Sequence, residues 1–279
     1  MSTGFDSSTV NAAVAHTRFS GRLSHFASVD STNTVALEAA QRGAAGGVFI
    51  ADEQTSGRGR GGHAWHSAPG EGLYVSIIVR PRMPLAQALW LSLATALACR
   101  TAIARATGLR VDIRWPNDLL LNERKCGGIL VETSALTTGT DVTLRYAVLG
   151  IGINLNHYEF PEHLACLATS LRIESGHIVD RELLLAELLL ALDEEITSLE
   201  AQADDTSPSP GLLDRFAAAS TWVRGKRVSV DENGGYTGVT DGLDSAGFLR
   251  VLTDDGKLRT VLSGGVRPAE SKESHATSH

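Results

Sequence analysis

With 279 residues, of which 43% are hydrophobic and 20% charged, the chain has apolar material for a large core plus a smaller module, which excludes an intrinsically disordered protein. A net charge of −7 excludes a protein whose main role is to coat nucleic acid, so any anion site must be a local gathering of cations. Cys99, Cys126 and Cys166 are odd in number and lack metal or disulfide spacing, which points to a reducing cytoplasm.

Residues 1–18 read as a flexible leader, and no basic stretch followed by an apolar run marks a signal peptide. A strand is expected over Gly21–Val29, then a helix capped within Asp30–Asn33 and stopped by Gly43. Gly47–Gln54 and Gly72–Arg80 read as strands, the second ended by Pro81. The apolar stretch Ala86–Cys99 is shorter than the ~20 residues that cross a bilayer and reads as part of a buried helix reaching Thr107. Short apolar runs follow at Val111–Trp115, Leu119–Leu121, Gly128–Glu132 and Leu144–Leu155, with hairpin-like spacing that predicts a mixed, mainly antiparallel sheet. Leu185, Leu188, Leu189, Leu192, Ile196 and Leu199 stripe a helix from about Asp180 to Glu200. The segment 203–211 breaks it, and a short helix, Leu212–Ala219, comes next. From Thr221 the texture changes to valine-rich runs with even glycine turns, the pattern of a small β-barrel over 221–268, followed by a disordered tail over 269–279.

Chemistry concentrates in two segments. Ser56–Trp65 reads SGRGRGGHAW: glycines let backbone approach a ligand, and Arg58 and Arg60 can pair with carboxylate or phosphate. By composition alone, a flexible RNA-binding box or a solvated loop fits as well. Arg124–Glu132 reads RKCGGILVE and carries Lys125, the first of four lysines in a chain with 21 arginines, beside Gly127 and Gly128. A lysine there suits a point charge near a phosphate.

Five motifs in order resemble the biotin protein ligases, with lipoate ligases as relatives: DSTN at 30–33, QTSGRGRGGHAW at 54–65, RWPND at 114–118, RKCGGILVE at 124–132 and LGIGINLN at 149–156. The resemblance implies an α+β fold, a mixed sheet flanked by helices like that of class II aminoacyl-tRNA synthetases, in a catalytic region over 19–220, with an SH3-like C-terminal module over 221–268. It implies ATP and Mg²⁺ as co-substrate, biotin as substrate, biotinyl-5′-AMP as intermediate and a lysine of a biotin carboxyl carrier domain as acceptor. By resemblance, Lys125 and Arg58 are catalytic. Ser31, Thr32, Asn33, Gln54, Gly57, Arg60, Gly127 and Gly128 bind biotin, although Ser31 or Thr32 also suits a helix N-cap. Arg58, His63, Trp65, Asn117, Lys125, Asn154 and Asn156 bind ATP, and Asp118 helps place Mg²⁺ or stabilises a turn. His63 stands where arginine or lysine is common, and Gly264-Gly265 stands where an acidic residue is common, which puts a C-terminal contact in doubt. With the first motif at Asp30, no DNA-binding domain is expected, nor a membrane partner, and the oligomer is a monomer or homodimer. A lipoate or octanoate ligase is the alternative, and an RNA-binding module a more distant one.

Overall fold

Helix α1 (Ser7–Ala13) opens the part of the chain described by the computed structural model, which comprises residues 5–203, 211–232, 234–263 and 265–269. Asp6 caps it by accepting from the Ser8 and Thr9 backbone N–H groups, and Val10 and Val14 are fully buried. Arg18 then pairs with Asp193 and Glu200. The expected leader is therefore a docked element from residue 5 onward, a correction whose cause is local. Two valines among polar residues are too little apolar signal to announce a helix, and tertiary burial supplies the rest.

Next come β1 (Leu23–Val29), α2 (Thr32–Gln41), β2 (Gly47–Gln54), β3 (Gly72–Val79) and α3 (Leu89–Thr107). They are followed by β4 (Asp112–Arg114), β5 (Asp118–Leu121), β6 (Arg124–Thr138) and β7 (Asp141–Asn154). These strands form a seven-stranded sheet in the order β1-β2-β3-β7-β6-β5-β4. β1 and β2 run parallel, because α2 crosses between them, and every other pairing is antiparallel. β6 and β7 are longer than their apolar runs suggest. Their outer ends, such as Thr137–Thr138 and Asp141–Val142, are exposed hairpin arms that need no hydrophobic signature.

α2 covers one face through Ala36 and Ala40, packed on Ile78, Tyr146 and Val148. On the other face lies α3. By length and composition Leu85–Thr107 would suit a membrane, yet 61% of its apolar window is buried inside the protein, as in a core helix. Its cover is α6 (Arg181–Ala203), reached through two short helices, α4 (Glu162–Ala165) and α5 (Leu171–Ser175). α7 (Leu212–Ala219) leads into β8 (Arg224–Val230), β9 (Tyr236–Leu243), β10 (Leu249–Thr253), β11 (Leu258–Val261) and β12 (Val266–Pro268).

These last strands form the expected small C-terminal sheet, antiparallel, in the order β11-β10-β9-β8-β12 around Val228, Val230, Leu249, Val251 and Val261. It is fastened to α3 and to the β4–β5 turn by two indoles: Trp90 donates to the Ala246 carbonyl and Trp115 to the Gly247 carbonyl, 3.1 and 2.9 Å. The disordered tail expected from 269 lies outside the described residues apart from Ala269, as does Gly264.

Candidate functional site

Glycines on adjacent strands make a floor. Gly128 of β6 lies directly opposite Gly152 of β7, and Gly150 lies between Leu130 and Ser76. A β-carbon at Gly152 would stand 2.5 Å from the indole of Trp65, so the missing side chains admit that ring onto the sheet. The Trp65 indole nitrogen is buried without a hydrogen-bond partner, and an orphaned donor in a site calls for a ligand acceptor.

The segment carrying Trp65 is a small hairpin flap. Trp65 N–H donates to the Gly57 carbonyl at 2.8 Å and Gly59 N–H to the His63 carbonyl at 2.7 Å. A single 3₁₀ turn at Arg60–Gly62 forms the tip, where Gly61 and Gly62 take φ of +64 and +79 that other residues adopt at a cost. Gly57 is at the hinge, with no room for a β-carbon against the Trp65 carbonyl.

At the start of α2, Ser31, Thr32 and Asn33 are buried, and Ser31 is the N-cap residue without making a side-chain capping bond. Gln54 Oε1 accepts from the Thr32 backbone N–H at 2.9 Å, and Gln54 Nε2 donates to Ser67 Oγ at 2.9 Å. Thr32 Oγ1 is 2.7 Å from Ser76 Oγ, which donates to Asn33 Oδ1. Thr32, Asn33, Gln54, Arg58, Lys125 and Gly128 help to line one cavity over the glycine floor.

The two flap arginines part ways. Arg58 lines this first cavity and pairs with Glu132 at 2.9 Å. Arg60 lines both it and a neighbouring cavity, and reaches Asn117 Oδ1 at 3.3 Å. Among the described residues Arg60 makes no ion pair. Burial lowers its pKa against the pull of Asp118, so it is a partly desolvated cation that feels Asp118 without pairing with it directly. Both arginines thus border the first cavity, and Arg60 alone of the two also borders the third.

Lys125 reaches the site through an irregularity. Leu119 pairs with Gly127 but Leu120 with Lys125, so Cys126 is a bulge. Strict alternation would put residues 125 and 128 on opposite faces, whereas the bulge re-aims the Lys125 ammonium to within reach of the space above Gly128. Asp118, opposite Gly128, receives Lys125 on one oxygen at 2.5 Å and Arg114 on the other at 2.6 Å. Burial pushes the Asp118 carboxyl up, but Lys125 and Arg114 outweigh it and hold the group below the usual carboxylate range. With both oxygens engaged by cations, Asp118 does not fit a Mg²⁺ ligand. Among the described residues no cluster of three or more His, Cys, Asp or Glu side chains offers a metal site.

Trp65 and Lys125 border all three cavities of this region. The second is apolar, walled by Phe160, Leu164, Leu167 and Asn154. The third is polar and takes in His63, Asn117 and Asp118. Asn154 is at that wall, with its amide donating to the Lys125 and Thr169 carbonyls. Asn156 is elsewhere: it bonds the Val179 backbone in both directions, which corrects its expected nucleotide contact to a loop-fastening one. Gly127 packs on Leu119 beside the floor and borders none of the three cavities. Ser67, Ser76 and Glu132 were not singled out in the sequence, where nothing distinguishes a serine in a loop or on a buried strand. Arg267 of β12 borders the second and third cavities, so the C-terminal sheet does reach the site beside Gly265.

Residues 25–154 match the Biotin/lipoate A/B protein ligase family. A bifunctional ligase/repressor BirA of Bacillus spizizenii is 35% identical over 242 residues, 85% of this chain and 71% of that protein. A biotin–[acetyl-CoA-carboxylase] ligase of Mycobacterium tuberculosis is 32% identical over 249 residues, 87% of this chain and 84% of the relative. Among solved structures, biotin protein ligase from Aquifex aeolicus in complex with biotin and ATP matches with a TM-score of 0.73 at 28% identity, covering 89% of this chain and 100% of that one.

Proposed function

This chain belongs to the biotin protein ligases, and on that premise we propose that it activates biotin with ATP as biotinyl-5′-AMP and passes the biotinyl group to a lysine of a biotin carboxyl carrier domain. The observation that carries the reading is the meeting of three differently built cavities at Lys125 and Trp65. Thr32, Asn33 and Gln54 suit the polar ureido ring in the first cavity, since they offer both donors and acceptors. The apolar second cavity, beside the Trp65 indole, suits a purine base. The third, with Arg60 and Lys125, suits phosphates.

In the first step the biotin carboxylate attacks the α-phosphorus of ATP, a P–O bond forms, and pyrophosphate leaves. Two anions must approach, so fixed cations lower the barrier most where charge builds up in the transition state. In this reading Lys125 serves the oxygens shared between carboxylate and α-phosphate, and Arg60 the leaving pyrophosphate. In the second step the carrier lysine amine attacks the acyl carbon of the mixed anhydride, an amide forms, and AMP leaves. Mg²⁺ would enter with the triphosphate and offset part of its charge, since no cluster of side chains among the described residues would hold it.

The test is exchange of labelled pyrophosphate into ATP. Exchange that needs biotin supports the reading, and exchange driven by lipoate but not by biotin reassigns the acyl substrate. Labelling of a purified apo-carrier domain then checks the second step.

A further inference from the structure

We propose that Glu132 is a positioning residue for this reaction, a carboxylate catch that holds the flap over the first cavity and sets the direction of the Asn33 amide beneath it. Its catalytic consequence rests on the biotin reading above, whereas the catch itself is a property of the unliganded chain.

Glu132 Oε2 accepts from Asn33 Nδ2 at 2.8 Å and from Arg58 at 2.9 Å. A carboxylate only accepts, so Asn33 must turn its amide nitrogen toward it and its carbonyl oxygen away. That oxygen receives the Ser76 hydroxyl proton at 2.5 Å. Ser76 then has only lone pairs to offer, so the single Thr32 hydroxyl proton is shared between Ser76 Oγ at 2.7 Å and Gln54 Oε1 at 3.1 Å. Gln54 Oε1 is held by the Thr32 backbone N–H, Gln54 Nε2 donates to Ser67, and Ser67 donates to the Trp65 carbonyl at 3.3 Å.

The series starts at Arg58 and ends at Trp65. Those two residues flank the flap, and the Gly57–Trp65 backbone bond joins its ends. The polar wall of the cavity and the flap are therefore one ring, joined at Glu132 on the Arg58 side and at Ser67 on the Trp65 side. The side chains of Arg58 and Glu132 are 44% and 29% exposed. An ion pair that open is weak, which is what a catch that must release at each turnover requires.

The experiment is hydrogen exchange of the 57–65 amides in the full chain without ligand, on wild type, Glu132→Gln, Arg58→Ala and the double variant, with a thermal melt for each. Each single variant is expected to speed exchange about fivefold, the size of one weak ion pair. The double variant should be no faster than either, since both remove the same link. In turnover, Glu132→Gln should raise KM for biotin several-fold with kcat little changed, because a neutral amide lets Asn33 reverse. Wild-type exchange rates in Glu132→Gln, or single effects that multiply in the double variant, overturn the proposal. If Glu132→Gln does not fold, Arg58→Ala alone decides: unchanged exchange overturns the catch. A wild-type chain without biotin-dependent pyrophosphate exchange would remove the biotin reading and leave the catch standing.

Discussion

The Lys125 ammonium lies 2.5 Å from Asp118 Oδ1, and the other oxygen of that carboxylate is held by Arg114. The anion is thus shared, and it fixes the lysine's position without neutralising the site. Lys125→Ala should lower the rate of adenylate formation about a hundredfold or more, by comparison with other preorganised charges. The fold should persist, because Asp118 keeps Arg114. Asp118→Asn should damage both rate and melting temperature, since it leaves two cations facing each other. Single-turnover adenylation and thermal melts separate the two, and a wild-type rate in Lys125→Ala would remove it from the chemistry.

Gly152 and Trp65 share one space. An alanine at 152 puts a β-carbon 2.5 Å from the indole, which must rise off the sheet. Because Trp65 rides on the flap and not in the core, Gly152→Ala should leave the melting temperature almost unchanged. It should raise KM for ATP and biotin together, by roughly tenfold for about 1.4 kcal/mol of lost binding. Unaltered KM values would show that the indole does not form the ligand wall.

How much of this was legible in the sequence differs by residue. Gly47–Gln54 is recovered as a strand residue for residue, because a buried strand between glycine and a polar loop carries a strong pattern. Lys125, Trp65 and Asn117 are brought together as expected from their motifs. The Cys126 bulge is not written in any residue type, although it decides which way Lys125 points. Nor can two arginines two positions apart reveal which meets Glu132 and which stays unpaired, because that depends on the flap's path. Glu132 and Ser76 act through contacts with residues 99 and 43 positions away, which no local pattern encodes.

Asn154 and Asn156 show the same limit. Strand alternation would put both on one face, but β7 ends at Asn154 and Asn156 turns to Val179. Asn156→Ala should therefore cost about 2 kcal/mol of stability, from two hydrogen bonds and a buried carbonyl left unsatisfied. KM for ATP should not change. Denaturant unfolding and steady-state kinetics check this, and a raised KM at unchanged stability would return Asn156 to the nucleotide.

His157 adds a pH dependence. Its ring is fully buried, stacks on Phe160 at 5.0 Å and lies 5.8 Å from the His66 ring. Burial and then the proximity of His66 bring its pKa down from 6.5 to about 4. The folded chain therefore keeps the imidazole neutral where the unfolded chain takes up a proton. Stability from this group is complete above about pH 6.5 and declines as pH falls toward 4, by up to about 3 kcal/mol. His157→Phe keeps a ring against Phe160 and removes the proton site, so its urea midpoint should fall less than that of wild type between pH 7 and 4.5. Parallel midpoint curves for the two proteins would mean that His157 is not the group responsible.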